Sequence, residues 1–158
     1  MTTARRDDPS DLESATDAGA LGPLHAYVGY VLRRAQIAVF QDFIRTLAGV
    51  DLRPAQFSVL TLIDANPGIV QSRACSALGI QKANFVPMLQ ELEKRGLTRR
   101  VPVDGRSNGV FLTAKGRALL KRARSLHDRH HARITKLIGE PEQRRLIATL
   151  DRLATLGE

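Results

Sequence analysis

LTRRVPVDGRSNGVFLT, running from Leu97 to Thr113, holds two β-competent runs, Leu97 to Val101 and Gly109 to Leu112, around a tip of turn formers: Pro102, Asp104, Gly105, Ser107, Asn108 and Gly109. This pattern predicts a β-hairpin with Arg106 at its tip. Just upstream, FVPMLQELEKRG (Phe85 to Gly96) spaces Phe85, Met88, Leu89 and Leu92 along one side of a helix and ends on a glycine stop. A helix followed by such a hairpin predicts a winged helix-turn-helix. Its helix would enter the DNA major groove, and the hairpin tip would reach an adjacent minor groove, where arginine suits the negative potential.

Working outward, Val70 to Leu78 is expected to supply the short first helix of the motif, with Gly79 at the turn. Arg53-Pro54 opens an earlier helix that ends near Asn66-Pro67-Gly68, with Phe57, Val59, Leu60, Leu62 and Ile63 as candidate core. A helix from Leu24 to about Ala48, started by Pro23 and stopped by Gly49, carries too many apolar positions for one narrow stripe and needs two partners. After the hairpin, Thr113 can cap a helix of about 25 residues reaching Ile138, some 37 Å long. Pro141 to Leu156 forms a last helix with Leu146, Ile147, Leu150 and Leu153 on one side. Residues 1 to 20 are polar, small and acidic after Arg6, and read as a disordered arm.

The chain has 158 residues, enough for one domain with a substantial core. Its formal charge is +8, which favours nucleic acid or another polyanion. Between Ser72 and Arg124 twelve basic residues face only Glu91, Glu93 and Asp104, so the expected reading head holds the whole excess. No apolar run is long enough for a transmembrane helix, no secretory signal is visible, and one cysteine cannot form an intramolecular disulfide. These features point to a cytoplasmic protein without a membrane partner. No Gly-rich phosphate loop, H-E-x-x-H or cysteine-histidine arrangement is present, so neither catalytic residues nor a cofactor is expected.

Three motifs in order give a family resemblance. Leu92-Glu93-Lys94-Arg95-Gly96-Leu97 looks like the helix-to-wing junction of the MarR family of bacterial transcriptional regulators, Asp104-Gly105-Arg106 like its D-x-R wing tip, and Leu112-Thr113-Ala114-Lys115-Gly116 like its return into the next helix. The resemblance extends over roughly Leu21 to Leu156. It implies a mainly α fold with a small β-hairpin, a single domain over 21–158, the winged helix-turn-helix at about 52–113, and dimerisation helices at about 21–48 and 114–156. It also implies a homodimer that reads an inverted-repeat operator in double-stranded DNA, most often as a repressor released by a small molecule. The apolar surface left by the long helices agrees with two-fold pairing.

Where many members carry a serine-rich stretch and an arginine, this chain reads Ile80-Gln81-Lys82-Ala83-Asn84-Phe85-Val86-Pro87-Met88. A proline inside a helix costs about 3 kcal/mol, but little in the first turn. The helix therefore either starts late, with Asn84 as its N-cap, or starts near Gln81 and bends at Pro87. In both cases Gln81, Lys82 and Asn84 are left to read bases, and the residues alone leave Asn84 as either a cap or a base contact. Arg106 is the expected minor-groove residue, oriented by Asp104. Ser72 and Arg73, at a helix start, are phosphate candidates.

The effectors implied by the resemblance are aromatic acids or related metabolites, including acyl-CoA thioesters. Tyr27, Tyr30, Arg33, Arg34 and Phe40, with Phe57, are candidate effector residues, and ordinary packing is the competing reading for each. Cys75 suggests redox sensing as an alternative, although Ala74, Ala77 and Leu78 point to a packed helix face with little thiolate. His127, His130 and His131 lie at helical spacing with only Asp128 as an acidic neighbour among several arginines, so they are expected at an interface or in solvent and not on a metal. His25 is isolated. A protein-binding winged-helix adaptor is the reading from another class, and the basic reading head opposes it.

Overall fold

The computed structural model describes residues 21–104 and 107–157. They divide into two compact units, one up to Gln41 and one from Asp42 onward. The first unit opens with a 3-10 turn, Gly22–Ala26, and then Tyr27 adopts an extended conformation (φ −88°, ψ 117°) before helix α1, Val28–Leu47, begins. The continuous helix expected from Leu24 is therefore interrupted. The His25 ring bonds the Gly22 carbonyl at 2.5 Å, the acceptor that an α-helical turn would have given to the Ala26 N–H. Within this unit Val28, Val31, Leu32, Ile37, Val39 and Phe40 are all exposed.

The second unit starts with the last turns of α1, which bury Phe43 and Leu47. Helix α2, Pro54–Ala65, has proline in its first turn, where no donor is needed, and the buried Gln56 accepts from the Arg53 N–H at 3.1 Å. Its Val59, Leu60 and Ile63 are fully buried, while Phe57 and Leu62 pack from the margin. Strand β1, Ile69–Val70, leads into α3, Gln71–Leu78, so Val70 belongs to a strand and not to the expected helix. Gly79 turns the chain in the left-handed region (φ +60°) into α4, Lys82–Lys94. Strands β2, Thr98–Asp104, and β3, Ser107–Leu112, form the hairpin, longer toward the tip than expected, and α5, Ala114–Ile138, and α6, Glu140–Ala154, follow.

Helix α4 settles the proline question. Gln81, extended (φ −61°, ψ 139°), is the N-cap and its carbonyl receives the N–H groups of Asn84 and Phe85 at 2.9 and 3.0 Å. Asn84 is thus the third helical residue and not a cap, and Pro87 lies inside the helix. Phe85, Leu89 and Leu92 are completely buried on one face of this helix, and that burial offsets the interior proline. Each such side chain contributes about 1.5–3 kcal/mol, which together exceeds the roughly 3 kcal/mol cost of the proline.

The sheet is antiparallel with order β1-β3-β2. Two residues of β1 are too few for an alternating pattern to be visible in the sequence. The strand forms because Gly68 and Gly109 permit close backbone approach: a Cβ on Gly109 would lie 2.7 Å from the Gly68 carbonyl oxygen. Phe43, Leu47, α2, Ala74, α4, the hairpin residues Leu97, Val110 and Leu112, and Leu120 and Ala123 of α5 form one core.

The hairpin is locked to α5 by a crowded junction. The Thr113 hydroxyl accepts from the Gly116 N–H at 2.9 Å and donates to the Gly96 carbonyl at 2.7 Å, and the Thr113 N–H donates to the Leu97 carbonyl at 3.0 Å. A Cβ on Gly116 would fall 2.0 Å from that same Leu97 oxygen. Helix α5 has the expected cap and length of 25 residues, ending before Gly139 (φ +81°). No helix among the described residues is long and apolar enough to cross a membrane.

His130 and His127 depart from the expected interface or solvent positions, whereas His131 is exposed. His130 is buried and its Nδ1 lies 2.6 Å from Oδ2 of Asp42, to which Arg133 also donates at 2.8 Å. Arg133 also bonds the Thr46 hydroxyl. His127 stacks on Phe57 with ring centroids 5.0 Å apart, while Phe43 meets Phe57 and His130 edge-on. The buried amide of Gln143 in α6 lies 3.0 Å from Nε2 of His131 and accepts from the Thr135 hydroxyl at 2.6 Å. These side chains link helices, His130 and Gln143 from buried positions and His131 from an exposed one, because the fold brings Asp42 and Gln143 in from distant positions. No group of three potential metal ligands gathers among the described residues.

Two expectations follow. Gly116→Ala should destabilise the fold by about 1–3 kcal/mol or more, since the obstacle is backbone, and Thr113→Ala by about 1 kcal/mol, both read from urea midpoints. The second concerns pH. Hydrogen bonds from Arg133 and His130 hold the Asp42 carboxyl down at about 2, and burial lowers His127. Both folded-state values lie below the unfolded ones, so both contributions are complete at high pH. Stability should decline first as pH falls below about 6.5, through His127, and again between about 4 and 2 as Asp42 protonates. Urea midpoints across pH should show both steps, and Asp42→Asn should remove the lower one.

Candidate nucleic-acid interface

Helix α3 is seated by the buried Ala74, which leaves Ser72 and Arg73 exposed in its first turn. The left-handed Gly79 then places Gln81, Lys82, Ala83 and Asn84, all exposed, at the start of α4. Two clefts connect these residues. One of about 440 Å³ is lined by Gln71, Ser72, Cys75 and Lys82, and another of about 210 Å³ by Gln71, Ser72, Arg100, Ser107 and Asn108 among others. Gln71 and Ser72 border both. A polar and basic strip therefore runs from the start of α4, across the start of α3, to the side of the hairpin.

The expected contact residues do not all meet there. Ser72 and Lys82 share one cleft, and Gln81 sits beside Lys82. Arg73 lines a different depression with Asn66 and Pro67, and Asn84 faces α2 beside Arg53, Gln56 and Glu91. Asp104 ends β2 opposite Ser107, after an irregularity in register following Pro102. Gly105 and Arg106, and so the expected Asp104–Arg106 pairing, lie outside the described residues, as does the arm over residues 1 to 20.

Gln71, Arg100 and Asn108 were missed by sequence reasoning. Their signal was the short strand β1, whose pairing of Val70 with Gly109 brings the start of α3 against the hairpin. The charge count also needs correction. Arg100 is paired with Glu93 at 2.7 Å, and Arg124 with Asp64 of α2 at 2.8 Å. Arg95 donates to the Asp51 carbonyl, Lys115 to the Arg95 carbonyl and Arg117 to the Leu112 carbonyl, so several cations serve the fold first. The window from Ser72 to Arg124 overstated the excess because Asp51 and Asp64 come from outside it. Arg99 lies 5.3 Å from the ring centroid of Phe111, which steadies its guanidinium on the hairpin.

In the first unit, Tyr27, Arg33, Arg34 and Phe40 are exposed and Tyr30 half-buried, with the Arg34 guanidinium 6.0 Å from the Tyr30 ring centroid. In the second, the Phe57 ring is taken up by His127 and Phe43. Cys75 is half-buried against the core, less enclosed than a fully packed face would make it.

A model of the MarR family matches residues 50–107. A candidate transcriptional regulatory protein for the hcr operon of Thauera aromatica is 30% identical over 135 residues, 84% of this chain and 81% of its own length. Among solved structures, the transcriptional repressor CouR bound to a 23-mer DNA duplex is 48% identical with a TM-score of 0.81, covering 85% of this chain and 96% of that one. CouR bound to p-coumaroyl-CoA is 46% identical with a TM-score of 0.79 over the same shares. With three helices, a β1-β3-β2 sheet and a hairpin arranged as a winged helix-turn-helix, the chain belongs to the MarR family of transcriptional regulators, a family of regulators and not of enzymes.

Proposed function

We propose that this protein is a homodimeric cytoplasmic repressor that holds an inverted-repeat operator and leaves it when an anionic aromatic effector binds. The observation that carries the reading is the strip shared by the two clefts, in which Lys82, Gln71, Ser72, Arg100 and Asn108 run from helix to hairpin. With α4 in the major groove, Gln81 and Lys82 meet base edges and Ser72 meets a phosphate, while Asn84 and Arg73 flank this strip. Asp104 then orients Arg106 toward the minor groove. The DNA-bound state of CouR supports this reading.

Dimerisation is supported by apolar surface that has no partner among the described residues. Leu146 and Ile147 of α6 are 44% and 51% exposed, next to the half-buried Leu150 and Leu153, and Leu137 is 84% exposed. A two-fold axis buries such a face with one self-complementary contact. Two reading heads one helical turn apart then match an inverted repeat.

For the effector, the exposed Tyr27, Arg33, Arg34 and Phe40 with the half-buried Tyr30 suit an aromatic carboxylate or its acyl-CoA thioester. CouR bound to p-coumaroyl-CoA supports the thioester. A ligand releases DNA only by favouring a form that the operator does not fit, and a tenfold loss requires about 1.4 kcal/mol of coupling.

Footprinting on the DNA flanking the coding region, with and without p-coumaroyl-CoA, tests the whole reading. A protected inverted repeat that opens on addition of the thioester is expected, and no protection at low salt rejects it. Log affinity should also fall steeply with log salt, and a flat response between about 50 and 200 mM would oppose DNA binding. At matched salt, Lys82→Ala and Arg106→Ala should each cost about 1–3 kcal/mol in operator affinity while leaving urea midpoints unchanged. Parental affinity in either variant would remove that residue from the interface.

A further inference from the structure

A second basic cleft, bordered by none of the residues assigned above, lies where α4 and β2 meet α5. Its volume is about 350 Å³ and its walls are Arg95, Leu97, Lys115, Ala118, Leu119 and Arg122. Lys115, Ala118, Leu119 and Arg122 stand at i, i+3, i+4 and i+7 of α5, so they share one helix face. Leu97 is fully buried and Leu119 packs on the core, which gives the cleft an apolar floor between charged ends.

Two of the cations are held in place by the fold. The Lys115 ammonium donates to the Arg95 carbonyl at 2.7 Å, and the Arg95 guanidinium donates to the Asp51 carbonyl at 2.8 Å. Both retain further donors, because an ammonium has three N–H groups and a guanidinium five. Arg122 is exposed and makes no hydrogen bond or ion pair among the described residues. Among the described residues no carboxylate lines the cleft. The Asp51 carboxylate is 3.7 Å from Arg95 and its side chain is 97% exposed.

Lys115 and Arg122 carry no carboxylate partner among the described residues, whereas Arg95 is paired with Asp51 at 3.7 Å, so the cleft keeps a net positive charge over an apolar floor, and its volume falls in the lower part of the range for small-molecule sites, about 300–1,000 Å³. Guanidinium stacks on flat rings and grips phosphate with paired hydrogen bonds, and ammonium supplies a point charge. A ligand that uses all of this has a planar ring system and at least one phosphate. We propose that the cleft binds a phosphorylated nucleoside, with its base over Leu97, Ala118 and Leu119 and its phosphate on Lys115 and Arg122. Such a group can arrive as the nucleotide end of an acyl-CoA or as a free nucleotide, and only the first source rests on the effector reading above.

The test is calorimetric titration of the full chain with adenosine 3′,5′-bisphosphate, using Arg122→Gln and, as a control off the cleft, Arg129→Gln. Saturable binding of one equivalent per chain is expected, about tenfold weaker in Arg122→Gln and unchanged in Arg129→Gln. The same titrations with p-coumaroyl-CoA separate the sources: a matching loss assigns the site to the thioester's nucleotide end, and an unchanged affinity assigns it to a free nucleotide. Either result upholds the site. No binding at millimolar bisphosphate, equal binding to both variants, or affinity no better than for inorganic phosphate would overturn it. So would an equal loss of operator affinity in Arg122→Gln, which would make the cleft a DNA-backbone contact. None of these failures alters the footprint, so the repressor reading stands or falls separately.

Discussion

The first turn of α5 passes so close to the Leu97 carbonyl that only a hydrogen fits on the residue at position 116. Much of the architecture depends on this contact. Leu97 begins the hairpin, the Thr113 hydroxyl bridges the Gly96 carbonyl and the Gly116 N–H, and Lys115 reaches the carbonyl of Arg95 at the end of α4. One crowded point thereby fixes the angle between the helix, the hairpin and the 25-residue helix that leads away from them. A looser junction would let the hairpin and α4 move independently, and a shared operator surface requires that they do not.

The second set of constraints is polar and interior. Asp42 joins the end of α1 to α5 through His130 and Arg133, and Gln143 joins α6 to α5 through His131 and Thr135. Buried polar groups are costly without partners and specific with them, so these links fix helix rotation more sharply than the surrounding leucines can. Asp42 and His127 are the groups through which folding is expected to respond to acid.

Much of this was legible in the sequence where one rule dominated locally. The spacing of Phe85, Leu89 and Leu92, the Thr113 cap, the Gly139 stop and the turn residues of the hairpin each identified an element. What escaped was non-local. Strand β1 has two residues and exists only because β3 lies alongside it. The interior place of His130 was hidden because Asp42 is far away in the chain, and the basic excess looked larger because Asp51 and Asp64 pair into it from outside. At Pro87 a local rule allowed two answers, and the helix takes the early start, with the proline offset by burial of the neighbouring side chains. The candidate site was half legible for the same reason: Ser72 and Lys82 sit at helix starts that the sequence marks, whereas Gln71, Arg100 and Asn108 join them only through the sheet.

Cys75 has a practical consequence. It is the one thiol in the chain, half-buried in a cleft it shares with Gln71, Ser72 and Lys82. A small spectroscopic label attached there occupies a single, chemically unique position beside the first turn of α4. In an assembly of two copies it yields one label-to-label distance, which reports the separation of the reading heads directly and without any engineered cysteine.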